Sequence, residues 1–225
     1  VTSENLSATA KAIKEATGLM VILFPGSAEA LSTDIDALLY MSMLNSTDLR
    51  FVIGAQVYAA PIVKKLGIET IPMGYVIVEP GMKVGEVGKA VPVKKDDLKT
   101  AVAYALTTQM LGMDLVYFEA GSGADTPVSP DMIRAVKNAV DIPVIIGGGI
   151  RTPEAAAAAR EARAAGRIRS DYVVAIYDLD AAAGRLREVH AGAEDPPGVV
   201  EDHHPDGVVG ERVGQRRAQL PAHRP

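Results

Sequence analysis

The segment Tyr117–Ala124 (YFEAGSGA) holds the side chains best suited to chemistry in this sequence. Two glycines flank Ser122, so the backbone can approach an anion closely and offer its N–H groups without obstruction by a Cβ atom. Tyr117 and Glu119 are two positions apart on a predicted strand, so both can point to the same side. A tyrosine hydroxyl and a carboxylate together can hydrogen-bond a polyol, and the carboxylate can accept a proton from an attacking hydroxyl. The alternative is a tight Gly-Ser turn with Glu119 paired to a neighbouring cation.

A second candidate anion site is the glycine-rich stretch Pro143–Glu154 (PVIIGGGIRTPE). Three consecutive glycines at the end of a predicted strand, followed by a Thr-Pro-Glu helix start, are typical of the phosphate cradle in phosphate-binding barrels. Thr152 is a natural N-cap, and Pro153 suits the first helical position. Alone, this stretch predicts phosphate binding without specifying a substrate, and glycines that serve close packing only are the alternative.

The elements that must position these loops alternate regularly along residues 1–162. Strand–loop–helix repetition predicts an α/β fold with a parallel sheet, which is either an open doubly wound sheet or a closed barrel. Polar and glycine-rich residues after the strand ends, and the lack of one dominant GxGxxG loop, favour a partial (β/α)₈ TIM barrel. The predicted strands are Leu19–Phe24, Ala37–Met43, Thr70–Val78, Leu115–Glu119 and Val144–Ile146. The predicted helices are one that ends at Ala16 and is capped by Ser3, then Pro61–Leu66, Lys95–Leu111, Pro130–Val140 and Pro153–Ala162.

The composition excludes several classes of function. The 225-residue chain carries a formal net charge of −5, which disfavours nucleic acid as the main partner. It contains no cysteine, which excludes disulfides, thiolate zinc sites and cysteine nucleophiles and fits a cytoplasmic protein. The longest apolar runs are far shorter than the about 20 residues that cross a bilayer, so we expect a soluble protein.

The composition changes abruptly near Arg163. All ten Lys and all eight Met precede it, all four His follow it, and no sustained apolar period is found from Gly184 onward. Translation of a gene in the wrong frame produces such a shift, so our hypothesis is a frameshift near residues 162–166, with a natural polar tail as the alternative. We predict a partial barrel domain over residues 1–162 and an aberrant, disordered tail over residues 163–225. The helical pattern directly after Val1 predicts a fragment that begins partway through a fold.

With these segments identified, residues 1–162 resemble the geranylgeranylglyceryl phosphate synthase family and its heptaprenylglyceryl phosphate synthase relatives. The order and spacing of five motifs are specific when taken together, although the last motif alone is not. The motifs are LFPGS (Leu23–Ser27), YMSMLNS (Tyr40–Ser46), IPMGYVIVEPG (Ile71–Gly81), YFEAGSGA (Tyr117–Ala124) and GGGIRTPE (Gly147–Glu154).

The resemblance implies about strands 3 to 7 of the barrel and a prenyltransferase activity of archaeal membrane lipid synthesis. Such an enzyme joins the C3 hydroxyl of sn-glycerol 1-phosphate to geranylgeranyl diphosphate, with Mg²⁺ holding the diphosphate. The implied catalytic residues are Glu119, which would polarise the attacking hydroxyl, and Tyr117. The implied substrate contacts are Tyr117, Phe118, Glu119, Ala120, Gly121, Ser122, Gly123, Gly148 and Gly149. A homo-oligomer and transient contact of the lipid product with a membrane surface are implied as well.

Departures from the family pattern leave two alternatives open. The N-terminal segments that hold the family's Mg²⁺ ligands are not matched, and Ser170–Tyr172 replaces its final Gly-Thr or Gly-Asn phosphate loop. We therefore expect this chain by itself to be inactive. One alternative is a phosphate-binding barrel of the isomerase or aldolase type, which the YFEAGSG motif disfavours. The other is a non-catalytic remnant with weak anion binding.

Overall fold

The computed structural model describes residues 2–27 and 30–152, in which five parallel strands form one sheet. The strands lie in chain order across the sheet, and every neighbouring pair is parallel. This confirms the predicted α/β fold with five consecutive parallel strands. The strands are β1 (Ile22–Leu23), β2 (Ala37–Met43), β3 (Glu69–Ile77), β4 (Leu115–Glu119) and β5 (Val144–Gly147). The helices are α1 (Ser3–Thr17), α2 (Ala55–Leu66), α3 (Met82–Val87), α4 (Leu98–Met110) and α5 (Pro130–Ala139), and a π-helical turn (Arg50–Gly54) precedes α2.

Side chains alternate between the two faces of this sheet, as strand geometry requires. On β3, Val76 packs in a core cluster that includes residues of α4 and α5, whereas the adjacent Tyr75 belongs to a cluster formed largely by strand side chains. We call the face that carries Tyr75 the inner face. Because strand residues are buried on both faces, the strands read as continuous apolar runs. The buried residues of the inner face are Leu39, Met43, Met73, Tyr75, Ile77, Tyr117 and Ile145.

Side-chain caps determine where three of the helices begin. The oxygens of Thr2, Asp97 and Ser129 each accept the backbone N–H of the residue three positions on, which satisfies an otherwise unpaired amide. The predicted cap at Ser3 is therefore wrong by one residue, because Thr2 has the extended backbone that lets its hydroxyl reach the first turn. Helix α4 likewise begins after Asp97 instead of at Lys95.

Two other boundaries differ from the prediction by more than one residue. Proline favours the first helical turn, so the pattern predicted a helix start at Pro61, but α2 begins at Ala55 and runs through this proline. Burial of Ala59 and Val63 in one cluster with residues of β2 favours the longer helix despite the missing N–H. Strand β1 is shorter than predicted because it pairs with β2 only at Ile22 and Leu23.

A glycine on β3 allows helix α4 to approach the sheet closely. A Cβ atom on Gly74 would lie 2.4 Å from the Thr108 hydroxyl oxygen, and Thr108 is fully buried. We expect Gly74→Ala to lower the free energy of unfolding by about 1–3 kcal/mol through overpacking, as measured by urea denaturation. Gly26→Ala is the control, because a Cβ atom there would meet nothing within 4 Å. Equal effects of the two substitutions would contradict this account.

Within residues 2–27 and 30–152, no helix combines the length and the apolar character needed to span a bilayer. The predicted helix Pro153–Ala162 and the predicted tail over residues 163–225 lie outside the described residues.

Candidate functional site

The carboxyl ends of β3, β4 and β5 meet at one edge of the sheet and carry the predicted site residues. Parallel pairing places Tyr117 between Tyr75 and Ile145, and it places Glu119 between Ile77 and Gly147. Tyr117 and Glu119 point to the same face, since their side chains are hydrogen-bonded to each other. The two glycine-rich loops therefore lie together beyond the ends of these strands, as in barrel enzymes whose sites follow the strand carboxyl ends.

Glu119 is a buried carboxylate that two donors hold in place. The Tyr117 hydroxyl donates to its Oε2 atom at 2.7 Å, and the Gly121 N–H donates to its Oε1 atom at 2.6 Å. Burial raises the pKa of the Glu119 carboxyl above its ordinary value, and the bonds from Tyr117 and Gly121 act in the opposite direction. None of the ion pairs among the described residues includes Glu119, so the structure does not favour the alternative of a surface ion pair. A carboxylate in these surroundings can accept a proton from a neighbouring hydroxyl group.

Two aromatic rings of the inner face hold Tyr117 in position. Its ring centroid lies 5.2 Å from that of Tyr75 and 5.8 Å from that of Phe24, in tilted and edge-on arrangements. Burial and then the Glu119 carboxylate raise the pKa of the Tyr75 and Tyr117 hydroxyls, so both remain proton donors. The sequence pattern predicts Phe24 and Tyr75 only as strand residues. The signal for a role at the site is that they lie in the motifs LFPGS and IPMGYVIVEPG.

The second glycine-rich loop packs directly against the first. A Cβ atom on Gly148 would lie 2.5 Å from both Glu119 Oε1 and the Gly121 nitrogen, so no side chain fits between the loops. A Cβ atom on Gly149 would likewise lie 2.7 Å from the Thr126 carbonyl carbon and 2.7 Å from the Pro127 nitrogen. Both glycines have a positive φ, 79° and 72°, which other residues rarely adopt. The two glycine-rich loops therefore pack backbone against backbone beside Glu119.

Not every predicted contact residue presents its side chain to this site. Phe118 and Ala120 are buried in the helix-covered core cluster on the opposite face of β4, so only their backbone atoms face the loops. Ser122 and Gly123 are exposed, and Gly121 and Gly123 have positive φ values of 101° and 80°. The contacts of all nine predicted residues with a substrate stay predictions, and those of Phe118 and Ala120 would involve the backbone.

Two cationic side chains beside the loops were not singled out from the sequence. Lys95 donates to the Thr126 hydroxyl at 2.7 Å, and Arg151 donates to the Gly123 carbonyl oxygen. Arg151 lies two positions after the last of the three glycines, which was the signal for it. Lys95 lies in a charged stretch that is typical of a solvated surface, so the sequence around it gives no signal for a role at the site.

The described residues do not fit a resident Mg²⁺ ion. Within residues 2–27 and 30–152, no group of three or more His, Asp or Glu residues is placed to hold a metal ion. Glu119 is the only buried carboxylate among the described residues, and both of its oxygens already accept hydrogen bonds. The Mg²⁺ that the resemblance implies stays a prediction, and no step below depends on it.

Comparison with known proteins identifies relatives over most of the chain. A sequence model of the PcrB family matches residues 1–184. Geranylgeranylglyceryl phosphate synthase of Pyrococcus abyssi is 47% identical over 189 residues, which are 84% of this chain and 75% of that protein. The protein of the same name from Thermoplasma volcanium is 53% identical over 148 residues, which are 66% of this chain and 59% of that protein.

Two solved structures have the same fold as this chain. One is (S)-3-O-geranylgeranylglyceryl phosphate synthase of Thermoplasma acidophilum in complex with its substrate sn-glycerol-1-phosphate. It is 47% identical, with a TM-score of 0.71 over 78% of this chain and 69% of that chain. The other is wild-type GGGPS of Thermoplasma volcanium, which is 42% identical, with a TM-score of 0.72 over 85% of this chain and 76% of that chain.

Proposed function

The chain belongs to the PcrB family, and on that premise we propose that its protein is a geranylgeranylglyceryl phosphate synthase. Relatives that carry this name are 47% to 53% identical to the chain. The proposed reaction is prenyl transfer from geranylgeranyl diphosphate to the C3 hydroxyl of sn-glycerol 1-phosphate. The solved relative with sn-glycerol-1-phosphate bound supports this acceptor.

The observation that carries the proposal is the buried carboxylate of Glu119 beside a glycine-lined anion cradle. Glycerol phosphate has hydroxyl groups at one end and a phosphate at the other, so its site needs a hydrogen-bond acceptor next to exposed backbone donors. Glu119 supplies the acceptor, and the loops around Gly121 and Gly148 supply backbone that an anion can approach without a Cβ atom in the way. Both parts lie at the carboxyl ends of β4 and β5.

In the proposed step, Glu119 accepts the proton of the C3 hydroxyl while the oxygen of that hydroxyl attacks C1 of the prenyl donor. The new bond between the C3 hydroxyl oxygen and C1 forms while the bond from C1 to the diphosphate oxygen breaks. The electron pair of the broken bond leaves with the diphosphate. The Tyr117 hydroxyl and the Gly121 N–H hold the carboxylate in one orientation before the reaction. Fixed donors of this kind lower the barrier because they need no reorganisation during the step.

The pKa of Glu119 suits a general base. Burial raises this pKa, which strengthens the carboxylate as a proton acceptor, while the two hydrogen bonds favour the ionised form that must be present before the step. The high pKa of Tyr117 keeps its hydroxyl a donor throughout. The buried pair therefore combines a basic carboxylate with a donor that does not itself lose its proton.

The remaining parts of the proposal come from the resemblance. They are Mg²⁺ as the cofactor that holds the diphosphate, a cytoplasmic location, a homo-oligomeric assembly and transient contact of the product with a membrane surface. Turnover by this chain is tested separately from binding, because Ser170–Tyr172, which replaces the family's final phosphate loop, lies outside the described residues.

The test of the proposed function separates binding from turnover. By titration calorimetry on the full chain, we expect sn-glycerol 1-phosphate to bind more tightly than its enantiomer, sn-glycerol 3-phosphate, and than inorganic phosphate. Incubation of radiolabelled sn-glycerol 1-phosphate with geranylgeranyl diphosphate and Mg²⁺ then tests for labelled ether lipid. Equal affinity for both enantiomers and for phosphate would favour a general phosphate-binding barrel. Selective binding without product would limit this chain to the acceptor half of the reaction.

A further inference from the structure

A glycine on the inner face of β5 leaves space that the Tyr117 hydroxyl occupies. Gly147 pairs with Glu119 across the strands. A Cβ atom on Gly147 would lie 1.9 Å from the Tyr117 hydroxyl oxygen and 2.7 Å from the ring carbons Cε2 and Cζ. Glycine weakens a strand interior, so its presence there commonly marks the close approach of another group.

Tyr117 has little room to move away from this position. The residue is 1% exposed, and its ring packs against the rings of Tyr75 and Phe24. Its hydroxyl donates to Glu119 at 2.7 Å. A methyl group on residue 147 would therefore displace the hydroxyl, and with it the donor to the carboxylate.

Gly147 differs from the two glycines that follow it. Gly148 and Gly149 have positive φ values, so any side chain there is strained by the backbone itself. Gly147 lies in a regular strand without such a φ value, so space alone excludes a side chain. Its role can consequently be tested without a change in backbone conformation.

We propose that Gly147 is a positioning residue, whose missing side chain makes room for the Tyr117 hydroxyl to hold the Glu119 carboxylate. Gly147 acts through Tyr117 and is not itself assigned a substrate contact. The proposal deepens the proposed function, because it explains how the base of that reaction is oriented. The hydrogen bond from Tyr117 to Glu119 can nevertheless be measured without turnover.

The groups that face Glu119 allow this bond to be isolated. Tyr117 on β4 and the Gly121 N–H are its hydrogen-bond donors, and the hydroxyl of Tyr75 on β3 interacts with its charge. Its partner on β5, Gly147, has no titratable group. Among the described residues, no Lys, Arg, Asp or other Glu contributes to the pKa shift of Glu119, so loss of the Tyr117 bond is expected to dominate any change.

The test is the titration of Glu119 by ¹³C NMR in the full chain labelled at glutamate carboxyl carbons, with Glu119→Gln used to assign the signal. Gly147→Ala is expected to raise the pKa of Glu119 by roughly one unit, because a hydrogen bond to a charged group is lost. Tyr117→Phe is expected to raise it similarly. The double variant is expected to match Tyr117→Phe alone, because the hydroxyl is already absent.

Gly74→Ala is the matched control, because it too places a methyl group against a buried hydroxyl. That hydroxyl belongs to Thr108, 2.4 Å from the added Cβ atom, on the opposite face of the sheet. We expect this substitution to destabilise the protein without moving the Glu119 titration. An unchanged pKa in Gly147→Ala, or the same shift in Gly74→Ala, overturns the proposal. If Gly147→Ala does not fold, the result for Tyr117→Phe is used instead. An unchanged pKa of Glu119 in Tyr117→Phe would mean that the bond from Tyr117 does not hold the carboxylate, which overturns the proposal. Since no arm requires prenyl transfer, failure here is distinct from failure of the proposed function.

Discussion

In a protein that has the family's N-terminal metal-binding segments and final phosphate loop restored, replacement of Glu119 by glutamine is expected to lower kcat for prenyl transfer by about 10²–10⁴-fold, the usual contribution of a positioned general base. The same restored protein is the reference for the other kinetic variants. Glutamine keeps the size of the side chain but cannot accept the proton of the attacking hydroxyl. The amide oxygen can still accept the Gly121 N–H, and the Tyr117 hydroxyl can rotate to accept from the amide nitrogen. The fold is therefore expected to persist while the chemical step is lost.

The measurement compares kcat and KM for both substrates in the wild-type and variant proteins. A general base acts in the chemical step, so kcat should fall far more than KM changes for either substrate. The matched control is Glu86→Gln on α3, because Glu86 is paired with Lys83 on the exposed surface. A loss of less than tenfold in Glu119→Gln, or an equal loss in Glu86→Gln, would remove Glu119 from the catalytic role.

The same substitution has an expected signature in stability. Because burial raises the pKa of Glu119 in the folded protein above its ordinary value of 4.5, the folded state binds the proton more tightly than the unfolded state does. Stability that depends on this proton is fully present below pH 4.5 and is lost as the pH rises through the folded pKa. Glu119→Gln avoids that loss, so its Tm should equal or exceed the wild-type value at neutral pH. The difference should shrink on acidification, and a lower Tm at neutral pH would contradict this account of the buried charge.

The second large effect is expected at Gly148. Gly148→Asp would place a carboxylate beside Glu119 and in the anion cradle, where an added Cβ atom alone would lie 2.5 Å from Glu119 Oε1. Repulsion of the substrate phosphate should raise KM for sn-glycerol 1-phosphate by about 10²-fold, since like charges in contact cost several kcal/mol. KM for the prenyl donor should change far less, because the substitution acts on the acceptor phosphate.

Two controls separate charge from backbone strain in that variant. Gly148→Ala introduces the same Cβ contact and the same positive φ without the charge, so the difference between Ala and Asp isolates the electrostatic effect. Gly112→Asp carries the charge at a similar positive φ of 73°, where a Cβ atom would meet nothing within 4 Å. We expect it to leave both KM values unchanged. Equal effects of Gly148→Ala and Gly148→Asp on both substrates would mean that this glycine only supports the loop.

Much of the fold could be predicted because its signals are local. The bounds predicted for β2 and β4 agree with the structure at both ends, since apolar runs bounded by polar or glycine residues leave little ambiguity. The π-helical turn and α3 were missed, because they have neither a cap signature nor a full apolar stripe. The extension of α2 through Pro61 was missed because burial of α2 against β2 overrides the local preference of proline.

The sequence by itself determined the order of the strands and helices, the parallel sheet and the two glycine-rich loops beside strand carboxyl ends. These features follow from side-chain periodicity, capping and turn chemistry, which operate over a few neighbouring residues. Only the tertiary structure decided that Gly148 lies against Glu119 and that Gly147 makes room for the Tyr117 hydroxyl. Such contacts join residues about thirty positions apart in the chain, so they depend on strand register and on how closely backbones pack. The sequence therefore identified the groups that can do chemistry, and the packing of β4 against β5 determined how they are held.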